Sequence, residues 1–129
     1  LDTWRRAFAE AGAERTFIGG KSMGGRMASM VADELGAAGL VCLGYPFHAP
    51  GKPEKPRIAH LEHLRTPTLI IQGTADPFGT SQDVAAYPLS PAIAFDWIEG
   101  GNHDLVGKGL GKAASRAHVI DAVTQFVSS

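Results

Sequence analysis

The sequence predicts an α/β domain, a parallel sheet of about four strands with helices on both faces, and three observations lead there. Short apolar runs bounded by glycine or proline alternate with stretches whose apolar residues recur at helical spacing. The runs are apolar without a break, as strands are when both sheet faces are covered. The chain has 129 residues, 44% hydrophobic, 19% charged and 8% aromatic, the composition of one ordinary globular domain.

Leu1, Trp4, Phe8 and Ala11 share helical spacing and Gly12 can end the turn, so a helix is expected over residues 3–11. Thr16, Phe17 and Ile18 read as a buried strand bounded by Gly19 and Gly20. A helix then runs over 23–35, with Met23, Met27, Met30 and Val31 on its core face and Gly36 as its stop. Residues 40–44 form the second strand. Pro46, Pro50, Pro53, Pro56 and Pro67 punctuate a long surface connection in which only 58–64 can make a short helix. The third strand is 68–72, a short helix is expected over 81–87, and the last strand is 92–98. Residues 100–111 hold five glycines and must be a loop. Val119, Ile120, Val123, Phe126 and Val127 then form the buried stripe of a C-terminal helix.

Twelve Lys and Arg against 13 Asp and Glu give a formal charge of -1, which leaves no basic footprint for nucleic acid or an anionic membrane. No apolar run approaches the roughly 18 to 20 residues of a membrane span. The single cysteine, Cys42, cannot form an internal disulfide, so a cytoplasmic protein is expected. The chain starts at Leu1 within a helical pattern, and it is expected to be part of a longer polypeptide whose upstream signal peptide, if any, stays open.

Gly20-Lys21-Ser22-Met23-Gly24 fits G-x-S-x-G directly after a strand and directly before a helix, the context in which that motif builds a sharp nucleophile elbow. Gly20 and Gly24, two residues either side of Ser22, are small enough to let strand and helix approach. The helix starting at Met23 aims unpaired amides and its positive end at the serine oxygen, so the Met23 amide is half of an oxyanion hole. Gly-Lys-Ser between strand and helix also closes a phosphate loop, but that motif needs glycine at position 15, where the chain has Arg15.

A serine hydroxyl becomes nucleophilic when an imidazole takes its proton and a carboxylate holds the imidazole. Asp76 follows the 68–72 strand and His103 follows the 92–98 strand, each at the C-terminal edge on which the elbow presents Ser22. Ser, Asp, His is also the chain order of α/β-hydrolases.

The chain resembles the C-terminal portion of an α/β-hydrolase, more narrowly the dienelactone-hydrolase-like group that includes the testis-expressed protein 30 family and subunit 3 of the nonspecific lethal complex. The resemblance is carried by Gly19-Gly20-Lys21-Ser22-Met23-Gly24-Gly25-Arg26, by Leu43-Gly44-Tyr45-Pro46-Phe47-His48 with Gly51-Lys52-Pro53-Glu54, by Pro67-Thr68-Leu69-Ile70, by Gly73-Thr74-Ala75-Asp76-Pro77-Phe78-Gly79 and by Gly101-Asn102-His103. It implies a truncated α/β-hydrolase domain over 1–129, lacking the N-terminal strands, with Ser22 as nucleophile, His103 as general base, Asp76 as its orienting acid and the Met23 amide as one oxyanion donor. Dienelactone hydrolases proper carry cysteine at the elbow, so their substrate does not transfer. The implied activity is a serine hydrolase acting on a small ester, thioester or lactone through an acyl-enzyme, with no cofactor and a small acyl substrate as its partner. The other class is a non-catalytic scaffold of the same fold that binds a protein. A sheet edge left open by missing strands is expected to drive self-association.

The remaining candidates have plainer readings. His48, His60 and His63 complete no metal site and are read as solvent-facing. Cys42 is read as a buried small hydrophobe, and Met23, Met27 and Met30 as core packing. Gly107-Lys108-Gly109-Leu110-Gly111 resembles a phosphate-binding loop only in composition. Asp104 adjoins His103 but is poorly placed to hold the same ring, which favours Asp76.

Overall fold

A computed structural model describes residues 16–129 apart from Lys108 and Leu110; the helix expected over 3–11 lies outside the described residues. The elements are β1 (Phe17–Lys21), α1 (Met23–Leu35), β2 (Gly39–Leu43), a 3-10 turn (Ala59–Leu61), β3 (Thr68–Gly73), α2 (Ser81–Ala85), β4 (Ile93–Ile98) and α3 (Lys112–Ser128). The four strands pair in parallel in the order β1-β2-β3-β4. All four C-terminal strand ends therefore lie on one edge of the sheet, and the loops that follow them meet there.

β3 is buried along its whole length, and its alternating side chains feed two separate cores. Ile70 joins Leu40, Cys42 and the α1 residues Ala28, Val31 and Ala32 on one face. Leu69 and Ile71 meet Leu43, Val119, Val123 and Phe126 on the other. Each fully enclosed aliphatic such as Ile70 stabilises the fold by about 1.5–3 kcal/mol. Helices cover both faces, as the unbroken apolar runs predict.

Several local expectations need correction. β1 does not stop at Gly19 and Gly20 but runs through them to Lys21, pairing Gly19 with Val41 and Gly20 with Cys42. These glycines allow close approach: a Cβ on Gly19 would lie 2.2 Å from the Val41 carbonyl oxygen, and one on Gly20 would lie 2.7 Å from the Gly24 carbonyl carbon. On the helix side the residue in the contact is Gly25, whose Cβ would lie 2.6 Å from the Gly20 oxygen, whereas a Cβ on Gly24 would meet nothing within 4 Å.

That contact also fixes the phase of α1. Gly25, Ala28, Ser29, Val31 and Ala32 face inward, and Met23, Met27 and Met30 are 44%, 44% and 47% exposed. A helix drawn this close to a sheet buries small side chains, so the methionines lie opposite and are not core. On α3, Val119, Ala122, Val123 and Phe126 pack inward, but Ile120 and Val127 are exposed. The connection after β2 is not wholly superficial: Tyr45, Pro46, Phe47 and His48 are fully enclosed, and Ile58, Leu61 and Leu64 anchor its second half. The short helix expected there is a single 3-10 turn, and α2 ends at Ala85.

Candidate active site

Ser22 sits between β1 and α1 with φ 52° and ψ -122°, a left-handed conformation that costs a non-glycine residue about 1–3 kcal/mol. Neighbours hold it there. Its N–H donates to the Leu43 carbonyl at the end of β2 (2.8 Å), and its carbonyl accepts from the Arg26 N–H in α1 (3.1 Å). The strained turn lifts the hydroxyl above the C-terminal sheet edge, and Met23 begins α1 among the amides that helix geometry leaves unpaired.

The hydroxyl meets His103. Ser22 Oγ lies 2.8 Å from His103 Nε2, and His103 Nδ1 lies 2.8 Å from Asp76 Oδ2. Because the carboxylate only accepts, Nδ1 carries the ring proton, and Nε2 is the acceptor for the serine proton. Asp76 is completely buried, and its remaining capacity is filled by the Phe78 N–H on Oδ1 (2.8 Å) and the Gln72 side-chain amide on Oδ2 (3.2 Å). His103 is 21% exposed, open to an incoming molecule on one side and packed against the Phe78 ring on another, with centroids 4.4 Å apart. The sequence-predicted residues Ser22, Asp76, His103 and Met23 are thus brought together. Gly20 closes the elbow as expected against the Gly24 and Gly25 backbone, whereas a side chain on Gly24 itself would meet nothing within 4 Å.

The loops carrying the acid and the base are tied to each other. Thr74 N–H donates to the Ile98 carbonyl, Ala75 N–H to the Gly101 carbonyl, and Gly100 N–H to Thr74 Oγ1, at 3.0, 3.0 and 2.8 Å. A Cβ on Gly73 would fall 2.2 Å from the Gly101 oxygen, so both glycines serve this contact. Gly44, with φ 65°, leaves room for His103: a Cβ there would lie 2.6 Å from the His103 carbonyl oxygen. Asn102 Oδ1 accepts from the Asp104 and Val106 amides and folds the turn that presents the imidazole. Asp104 turns away to pair with Lys21 at 3.0 Å, both side chains exposed, and that lysine holds its carboxyl below the usual carboxylate range.

Gln72 is the residue that sequence reasoning passed over. Fully buried at the end of β3, its Oε1 accepts from the Tyr45 N–H (2.7 Å), and its Nε2 faces the Tyr45 and Gly79 carbonyls and Asp76 Oδ2 at 3.2, 3.0 and 3.2 Å. The one available signal is a polar residue closing an otherwise apolar strand.

Two of the histidines read as solvent-facing are not. His48 is enclosed and bonds Asp83 Oδ2 at 2.9 Å through Nε2 and the Ala49 carbonyl through Nδ1. His60 is half-buried, with Nε2 2.7 Å from Ser29 Oγ and 3.1 Å from the Tyr45 hydroxyl; burial, then the nearby Arg26, pushes its pKa down. His63 is exposed. Burial alone pushes the Cys42 thiol up to about 12. Among the described residues no group of three or more His, Cys, Asp or Glu is placed to hold a metal, and no helix is long and apolar enough to cross a membrane.

Comparison with known proteins matches residues 1–128 to the family described as alpha/beta hydrolase domain. Among solved structures, an alpha-beta serine hydrolase homologue from Coxiella burnetii superposes with TM-score 0.66 at 19% identity, covering 98% of this chain and 54% of that one. A predicted CIB-like hydrolase from Thermoplasma acidophilum gives 0.68 at 18% identity, with 99% and 58% coverage. The esterase domain of a Rhodothermus marinus protein gives 0.64 at 17% identity, with 94% and 62% coverage. The fold is shared with all three, and the chain spans just over half the length of the first two.

Proposed function

Since the chain belongs to the alpha/beta hydrolase domain family, we propose that it is the catalytic portion of a serine hydrolase that cleaves a small ester, thioester or lactone through an acyl-enzyme. The observation that supports this best is the unbroken hydrogen-bond chain Ser22 Oγ, His103 Nε2, His103 Nδ1, Asp76 Oδ2, with 2.8 Å at each step between side chains. Ser22 Oγ attacks the substrate carbonyl as its proton passes to His103 Nε2, and the imidazolium is held by the buried Asp76 carboxylate. Negative charge on the carbonyl oxygen is met by the Met23 amide at the positive end of α1. Collapse breaks the bond to the leaving group, which takes the proton from His103. Water then attacks the acyl-enzyme with His103 again as base, releasing the acid and restoring Ser22.

Within the family the motifs favour the dienelactone-hydrolase-like group with the testis-expressed protein 30 relatives, with serine in place of cysteine at the elbow. A cytoplasmic setting belongs to the same proposal, on the strength of a single buried free thiol. The test is covalent labelling with a fluorophosphonate, which requires an activated serine and no known substrate. Labelling is expected in the native chain and lost in Ser22→Ala. Absence of labelling in folded protein would favour a non-catalytic scaffold of the same fold.

A further inference from the structure

Among the described residues only Ser22 and Leu105 hold a positive φ without being glycine, at 52° and 63°. Such backbone is strained for a residue with a Cβ and persists where several contacts fix it together. Ser22 carries the elbow, and Leu105 belongs to the turn that presents His103. From inside, that turn is held by the core Leu105 shares with Leu69, Ile71 and Ile98, and by the Leu105 N–H, which donates to the Asn102 carbonyl at 3.0 Å. From outside it is held by one ion pair, in which Lys21 Nζ donates to Asp104 Oδ1 at 3.0 Å across 83 residues of sequence. Lys21 directly precedes Ser22, and Asp104 stands between His103 and Leu105. The pair thus ties the two strained turns together, one residue away from each end of the Ser22–His103 bond.

The charges around the imidazole are arranged by the same pair. Asp76 faces His103 Nδ1 from the loop after β3, Lys21 comes from β1, Asp104 from the base turn itself and Lys112 from the start of α3. Gly44, after β2, and the Phe78 ring approach His103 without charge. The Lys21 hydrogen bond and charge, then His103 and Lys112, hold the Asp104 carboxyl below its usual range. A lysine alone beside the base would oppose the imidazolium that forms when Ser22 gives up its proton, and an aspartate alone would keep the base protonated at rest. Joined at 3.0 Å, they present almost no net charge.

We propose that Lys21 and Asp104 are positioning residues for the hydrolytic reaction, a neutral clamp that fixes the base turn against the nucleophile elbow and keeps either charge from acting alone on His103. The inference rests on the hydrolase reading of Ser22 and adds to it how the base is held.

The experiment follows two readouts in the full chain, in Lys21→Met, in Asp104→Asn and in the exchanged pair Lys21→Glu/Asp104→Lys. Both side chains are more than half exposed, so these substitutions leave the core intact. One readout is the pH dependence of fluorophosphonate labelling at Ser22; the other is the titration of the His103 ring by NMR, which needs no reaction. At the high-pH plateau each single substitution should slow labelling about two- to fivefold, in keeping with one exposed ion pair, and the exchanged pair should largely restore it. The midpoints should move in opposite directions, down by about 0.3–0.5 of a pH unit in Asp104→Asn and up by as much in Lys21→Met, as one unmatched charge several Å away in water would move them. About 1 M salt should close that split. A pair that only stiffens the surface would leave the midpoints together, and that result, or unchanged labelling in both single variants, overturns the clamp. An unlabelled parent with split NMR midpoints overturns the hydrolase reading of Ser22 and still supports the charge balance at His103.

Discussion

Replacing Gln72 with leucine keeps much of the side-chain volume and deletes the amide that joins three parts of the chain. The Tyr45 N–H, buried with its residue, loses its acceptor at 2.7 Å, a loss worth about 1–3 kcal/mol. Asp76 loses one of its donors, and hydrogen bonds to a charged group contribute about 1.5–3 kcal/mol each. The Gly79 carbonyl loses its Nε2 contact as well. Together the expected cost is about 3–5 kcal/mol, a large fraction of the roughly 5–15 kcal/mol that holds a domain folded. At about 4 °C per kcal/mol for a domain of this size, Tm should drop by at least ~10 °C. Thermal melts followed by circular dichroism measure it. Since Asp76 keeps the Phe78 N–H and His103, folded Gln72→Leu should lose kcat on an activated ester more than it raises KM. Combined with Asp76→Asn, the two losses should be less than additive, because both substitutions remove the same contact. A Tm within ~4 °C of the parent, or strict additivity with Asp76→Asn, would refute the assignment of Gln72 as the tie between these loops.

Ser22→Ala should lower ester turnover by several orders of magnitude while Cys42→Ala leaves it nearly unchanged, and equal losses would displace Ser22 as nucleophile. Cys42, fully enclosed with its thiol pushed up to about 12, should resist alkylation by iodoacetamide at pH 8 in native protein and react readily in urea; fast native labelling would contradict the burial. His60 is held neutral in the fold by burial and by Arg26, so the unfolded chain binds its proton more readily, and stability is lost as pH falls below about 6.5 toward the depressed folded value. Urea midpoints at pH 5 and 7.5 should therefore separate more in the parent than in His60→Gln, and equal separation would show that His60 does not carry the effect. With β1 at the edge of the sheet among the described residues, and Met23, Met27 and Met30 exposed on the outer face of α1, the chain of residues 1–129 should self-associate by light scattering, and Met27→Lys/Met30→Glu should reduce the mass; a monomeric parent would rule this out.

The elbow was legible because three independent signals coincide at Ser22: an apolar strand before it, a helical pattern after it, and glycines around it. Asp76 and His103 were legible for a topological reason, since each follows a parallel strand and parallel strands deliver their ends to one edge. What could not be read is whatever depends on phase or distance. Methionine spacing on α1 fits a core face as well as an exposed one, and the choice is made by the Gly20–Gly25 contact, which belongs to the packed structure. His48 and His60 find their partners Asp83 and Ser29 at separations of 35 and 31 residues, and no local pattern announces either pair. Gln72 is hidden in the same way, because it is polar where its strand ends and its purpose lies in Tyr45 and Gly79.

The hydrogen bonds between the Thr74 and Gly100 loops make acid and base one preassembled cassette, supplied by residues 73–106, whereas the nucleophile arrives separately on the β1–α1 turn. They meet across the sheet edge at the buried-side Ser22–His103 bond and at the exposed Lys21–Asp104 pair beside it. Chemistry at position 22 can therefore be exchanged without disturbing the imidazole–carboxylate pair. A Ser22→Ala chain should keep His103 and Asp76 in register and stall a bound ester intact, and a Ser22→Cys chain should meet the same waiting base. In this arrangement the attacking atom is a replaceable cartridge, and the machinery that moves its proton is part of the scaffold.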